Sequence, residues 1–112
     1  MAHFLFQVAY TAEAWATLLK NPHDRIEIVR PVLQKLGGDI ESAYMAFGEY
    51  DIVGVMNLPS NVEAAAFSLA ATAGGSIKAI KTTPLMTVQE GVSAMQKAAA
   101  AGYVPPAAPA GV

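Results

Sequence analysis

Gly48-Glu49-Tyr50-Asp51-Ile52-Val53-Gly54 joins a turn to an almost unbroken apolar run. Glycine at the first of two central turn positions suits the positive φ of a type II′ hairpin, whose twist matches the strands on either side. The flanking residues therefore read as two strands, Ile40 to Phe47 and Tyr50 to Leu58. A two-residue turn sets Phe47 opposite Tyr50, Met45 opposite Ile52 and Ala43 opposite Gly54 on one face. Ser42 with Val55, Tyr44 with Val53 and Ala46 with Asp51 fall on the other. Gly54 and Ala43 leave the first face flat, and the alanines at 64–66, 70 and 71 suit a helix that approaches it closely. The helices are assigned to that face.

Working outward, Phe4 to Tyr10 is a β-branched and aromatic run with Gln7 as its strongly polar member, a strand expected to be buried on both faces. Thr11 opens a short helical stretch to about Lys20, and Asn21-Pro22 restarts it, with Asn21 as cap and Pro22 in the first helical position. Ile26, Val29, Leu33 and Leu36 recur at helical spacing up to Gly37-Gly38, which supplies the left-handed residue that ends a helix. Pro31 is expected to bend it. Ser60-Asn61-Val62-Glu63 has the spacing of a capping box and opens a second helix that stops at Gly74-Gly75. Ser76 to about Leu85 reads as the last strand. Thr87-Val88-Gln89-Glu90 repeats the capping-box spacing before a third helix that ends short of Gly102.

The order β-α-β-β-α-β-α describes an α+β, ferredoxin-like domain over residues 1–102. Its four-stranded antiparallel sheet carries the two crossover helices on one face, with one extra C-terminal helix. Residues 103–112 form a Pro/Ala-rich tail, expected to be extended and mobile unless it lies on a neighbouring subunit.

The helix-free face presents Val53, Val55 and the ring of Tyr44, where a solvated antiparallel sheet should alternate apolar with polar residues. At about 25 cal/mol per Å² of apolar surface, leaving several such side chains wet forgoes several kcal/mol, comparable with the net stability of a domain. A second copy is expected to cover this face. The extra helix has a narrow apolar stripe, Val88, Val92, Met95 and Ala99, which suits either its own domain or another subunit.

Leu36-Gly37-Gly38, Phe47-Gly48-Glu49-Tyr50-Asp51-Ile52-Val53, Leu58-Pro59 and Gly74-Gly75-Ser76, in this order and at these separations, resemble the GYD domain. The resemblance covers nearly residues 4 to 101 and leaves the tail outside. It implies a dimeric α/β-barrel assembly in which two ferredoxin-like sheets face one another. It implies no reaction.

Composition narrows the function classes. The 112 residues suit one domain, and 7 Lys and Arg against 9 Asp and Glu give a net charge of −2 with no basic cluster, so nucleic acid is not an expected partner. Cysteine is absent, which removes thiolate nucleophiles, disulfides and cysteine-based zinc sites. Although 54% of residues are hydrophobic, no run approaches the roughly 20 apolar residues of a membrane span. Met1 to Phe4 shows no export signal, so a cytoplasmic location is expected.

The chemistry-bearing residues are few. His3 and His23 stand 20 positions apart without a second ligand at helical spacing, so neither a metal nor a cofactor is expected. Gly74-Gly75-Ser76 precedes a strand and follows a helix, the reverse of a phosphate loop, and reads as a helix end. Met45, Met56, Met86 and Met95 fall among apolar neighbours and read as core filling. Tyr50 and Asp51 could act as acid and base. Neighbouring strand residues point to opposite faces, however, and Asp51 suits the capping of turn N–H groups. Ser42, Tyr44, Asp51 and Asn57 share one face and are the expected polar, ligand-binding lining of any space between subunits. Two functions fit: a homo-oligomeric small-molecule binding or accessory protein, or a cofactor-independent enzyme of oxygenase or isomerase type.

Overall fold

A computed structural model describes residues 1–106, so the tail expectation for 107–112 lies outside the described residues. The elements are β1 (Ala2–Tyr10), α1 (Ala12–Lys20), α2 (Arg25–Lys35), β2 (Asp39–Met45), β3 (Ile52–Leu58), α3 (Asn61–Ala73), β4 (Ile77–Leu85) and α4 (Val88–Ala100). The strands form one sheet in the order β2-β3-β1-β4, each neighbouring pair antiparallel. This is the expected ferredoxin-like α+β arrangement with an added C-terminal helix. Its first crossover is divided between two helices.

That division corrects the expected helix start at Asn21. Thr11 caps α1 by accepting the Ala14 N–H at 3.1 Å, and Asn21 closes the same helix, donating its N–H to Thr17 and Leu18 carbonyls. Pro22 directly after a C-cap is a stop, not a start. The cap of α2 is Asp24, whose carboxylate accepts the Ile26 N–H at 2.9 Å. From there α2 runs unbroken through Pro31, which has no N–H to donate to the Glu27 carbonyl.

The hairpin register is the expected one: Met45 pairs with Ile52, Tyr44 with Val53, Ala43 with Gly54 and Ser42 with Val55. The turn is not. Residues 46–51 form a longer loop closed at its base by the Ala46 N–H on the Asp51 carbonyl at 2.8 Å. Gly48 does not take the positive φ of a type II′ turn, which among the described residues belongs to Gly37, Gly75 and Gly102. Phe47 and Tyr50 are outside the ladder, and the Phe47 ring is 99% exposed. The cause is Asp51, whose N–H donates to the Val8 carbonyl at 2.8 Å and so ties this end of the loop to β1. A six-residue loop centred on the same point keeps the strand pairing of a two-residue one.

Face assignment follows the register. Phe4, Phe6 and Val8 of β1 and Ile52, Met56 and Leu58 of β3 are buried against Leu33 of α2 and Ala64 and Phe67 of α3. Each such large apolar side chain contributes about 1.5–3 kcal/mol of transfer free energy. The flat spot at Gly54 serves a strand neighbour and not a helix. A Cβ there would stand 2.6 Å from Cζ of Phe6 and 2.4 Å from the Ser42 carbonyl oxygen. Pro84 is accommodated because β4 is an edge strand.

The opposite face carries no helix. On it Leu5, Val53 and Val55 are half-buried and Tyr44 is 74% exposed. Within one chain β1 is therefore sealed on only one side. The register of β2 shifts between Ile40 and Ser42, and the extra residue is Glu41.

The two expected capping boxes differ. At α4, Thr87 Oγ1 accepts the Glu90 N–H at 3.0 Å and Glu90 returns the bond from the Thr87 N–H at 2.9 Å. At α3, Ser60 accepts the Val62 N–H at 3.2 Å, while its hydroxyl donates to the Glu63 carboxylate. Well specified as it is, α4 buries none of its residues. The molecule measures 67 × 29 × 23 Å with a radius of gyration of 18.7 Å, against about 13 Å for a compact chain of this length. The C-terminal helix is an arm. Among the described residues no helix is long and apolar enough to cross a membrane.

Candidate functional site

Splitting the crossover has a geometric result: α1 and α2 leave a cleft of about 650 Å³ between themselves and the β2–β3 end of the sheet. A second hollow of about 310 Å³ lies between α2, α3 and the sheet. Tyr10, Arg25, Ile26, Ile40 and Ile52 line both, so the two meet along that row. Volumes of this order are those of small-molecule sites.

One wall is built by Asp51. Its Oδ2 accepts the Tyr10 N–H at 2.8 Å and the Trp15 indole N–H at 3.3 Å. The two rings meet edge to face, centroids 5.6 Å apart and planes at 85°, an arrangement favoured by the ring quadrupoles. The carboxylate thus orients the aromatic pair that lines the cleft. Arg25, the first residue of α2, stands beside the Tyr10 phenol. Burial pushes the Tyr10 hydroxyl above its usual range, and Arg25 opposes part of that rise by favouring the phenolate.

Other charges at the cleft are engaged. Arg30 Nη1 donates to Asp39 Oδ1 at 2.7 Å and to the Ile40 carbonyl at 3.2 Å, and Arg30 Nε lies 3.6 Å from Glu27. The Ile40 N–H, and after it Arg30, hold the Asp39 carboxyl below its ordinary range. His23 Nδ1 lies 2.7 Å from the Asn21 carbonyl oxygen.

The expected lining residues are placed as follows. Ser42 and Tyr44 lie on β2, in register with Val55 and Val53, and also border the cleft at this edge strand. Asn57 lies on the helix-free face, where its amide donates to Glu41 Oε1 at 3.3 Å while His3 Nδ1 meets the same oxygen at 2.6 Å. Asp51 is apart from these three, turned toward Tyr10 and Trp15. The bulge at Glu41 creates the His3–Glu41–Asn57 cluster, which no local sequence signal announces. Tyr10, Trp15 and Arg25 were equally unmarked, and the one available hint was that Trp15 is the sole tryptophan of the chain.

The GYD domain family model matches residues 4–95. The chain belongs to the GYD domain family. No curated protein and no solved structure matches it. The matched span of this GYD chain includes every residue of the cleft and all of the sheet except Ala2 and His3, and it ends within α4.

The Tyr10 environment predicts a pH dependence. A phenol whose folded pKa is raised above the unfolded value gives stability that is complete below the ordinary tyrosine range, about pH 10, and is lost as pH rises through the folded value. The thermal midpoint should therefore fall above about pH 10, and Tyr10→Phe should lessen that fall. Differential scanning fluorimetry from neutral to alkaline pH checks this. An equal fall in both proteins would show that Tyr10 has no part in it.

Proposed function

We propose that this GYD-domain protein is a homo-oligomeric binder of a small organic molecule, working in the cytoplasm. The observation that carries the reading is the hollow layer between helices and sheet, walled by Tyr10 and Trp15. The core beside it is closed by Phe4, Leu33, Met56 and Leu58, and an open cleft at the margin of a packed core gives a small molecule an apolar, partly desolvated place to sit. Self-association is supported by the helix-free face, where Leu5, Val53, Val55 and Tyr44 have no cover within the chain. Ser42, Tyr44 and Asn57 are the proposed polar groups between facing sheets. Asp51 takes part through the aromatic wall it orients.

A second reading, a cofactor-independent enzyme, is favoured by the half-buried Tyr10 phenol beside Arg25, since a phenol next to a cation is placed to hold or move a proton. Native mass spectrometry of freshly purified protein tests both. A dimer or larger assembly carrying a retained small molecule supports the binder. Recovery of that molecule with an altered mass after incubation supports the enzyme. A bare monomer at micromolar concentration overturns the proposal.

The arm gives a separate expectation. Val88, Val92, Met95, Tyr103 and Val104 are exposed along residues 88–106, which is costly unless another subunit receives them. Removing residues 88–112 should lower the subunit number or weaken association by about tenfold or more, as read by sedimentation equilibrium. Unchanged assembly would mean that α4 is not a docking element.

A further inference from the structure

Within the small-molecule reading, on which it rests, the charge pattern of the cleft names a ligand class. We infer that the joined hollows bind an amphipathic carboxylate, its anionic end at Arg25 and Tyr10 and its apolar body between the helices and the sheet. Three observations meet at this point.

The first is the position of Arg25. It lines both hollows where they join, beside the Tyr10 phenol. The second is its lack of a carboxylate partner. Among the described residues the salt bridges are His3 with Glu41 and Arg30 with both Glu27 and Asp39, and Arg25 has none. The acids nearby are committed: Asp24 caps α2, Glu27 faces Arg30, Glu41 meets His3 and Asn57, and Asp51 accepts from Tyr10 and Trp15. A planar guanidinium engaged by a phenolic hydroxyl and by no carboxylate keeps several donors for one carboxylate, and a partly dry surrounding strengthens such charge-assisted bonds.

The third is the apolar character of what surrounds this point. Ile26, Ile40 and Ile52 are shared by both hollows, with Phe67 and Ile77 deeper in the smaller one. They give a hydrocarbon body somewhere to go, while the carboxylates that border the larger hollow, Asp24, Glu27 and Glu41, are already engaged within the chain. A polyanion such as a nucleotide would find only one free guanidinium here. One carboxylate on an apolar body satisfies both parts of the site.

The test uses the full chain with phenylbutyrate and its neutral counterpart phenylbutanol. Binding is followed by isothermal titration calorimetry and by the emission of Trp15, the sole tryptophan, excited where the phenyl ring does not absorb. Phenylbutyrate should bind saturably, shift the Trp15 emission and exceed phenylbutanol in affinity by about tenfold or more. Arg25→Met and Arg25→Gln should each remove that preference, weakening phenylbutyrate about tenfold and leaving phenylbutanol unchanged. Arg25→Lys, which keeps the charge but not the planar fork, should restore part of it. If both compounds bind equally well to the parent protein, or if loss of Arg25 weakens neither, the carboxylate assignment falls while the binding reading stands. If neither compound binds and Trp15 emission stays fixed, the hollow layer is no ligand site and both fall. The parent-protein comparison decides the matter even if an Arg25 variant fails to fold.

Discussion

A Gly38→Ala protein should be destabilised by about 3 kcal/mol, the upper part of the range for overpacking a close-packed site. The chain enters β2 at Gly38 pressed against β3. A Cβ there would stand 1.9 Å from the Asn57 carbonyl oxygen and 2.8 Å from Cδ2 of Leu58. The first neighbour is backbone held in the sheet, and the second belongs to a side chain with no exposure at all. Neither can yield cheaply, so relief requires β2 to move off β3, opening the edge of the core over Ile40 and Met56. Urea unfolding measures the loss as a lower midpoint at unchanged slope. Gly48→Ala is the matched control, because a Cβ on Gly48 meets nothing within 4 Å. Equal midpoints for the two variants would show that β2 accommodates the methyl group and that the close approach is not a constraint.

The second large effect concerns assembly. Val53→Lys should convert the proposed dimer to monomer. Val53 lies in the middle of the helix-free face, paired with Gln7 of β1 and Tyr44 of β2. In a twofold assembly of facing sheets the substitution enters twice, burying two unpaired ammonium groups close together. One uncompensated charge in an interface costs about 3 kcal/mol or more, so the dissociation constant should rise at least about 100-fold. Analytical ultracentrifugation across a concentration series reads this directly. Ala65→Lys, on the exposed side of α3, should leave the mass unchanged. A Val53→Lys protein that sediments like its parent would place the subunit contact elsewhere.

Much of the architecture was legible because it depends on local signals that agree with one another. The pairing of Met45 with Ile52 followed from where the turn is centred, and the inward face followed from that pairing by the alternation of strand side chains. Gly37 and Gly75 ended their helices at positive φ, as their positions after apolar periodic segments implied. The illegible parts arise from contacts between distant residues. Asp51 is drawn to Val8 and Tyr10, more than forty positions earlier, and that contact replaces a tight turn with a longer loop. Gly38 looked like half of a helix terminator, yet its own constraint comes from the carbonyl of Asn57. Asn21 and Asp24 are both good caps, and only the closure of α1 onto Asn21 leaves Asp24 to start α2.

The candidate site was less legible than the fold for the same reason. Ser42, Tyr44 and Asn57 could be placed on one face from the hairpin alone. The cleft needs Tyr10, Trp15 and Arg25, which lie on three different elements and meet only because the crossover is cut in two between Lys20 and Arg25. An arginine without a partner is not visible in a sequence, since its partners are defined by packing.

The loop at residues 46–51 is pinned at its base by Ala46 and Asp51, whereas Phe47, Gly48 and Glu49 at its tip are exposed and support nothing beneath them. The strands owe their alignment to the anchor and not to the number of residues at the crest. Foreign sequence such as a fluorophore-binding tag, spliced between Gly48 and Glu49, would therefore ride on the hairpin without disturbing it, making this crest a natural attachment point for engineering the protein.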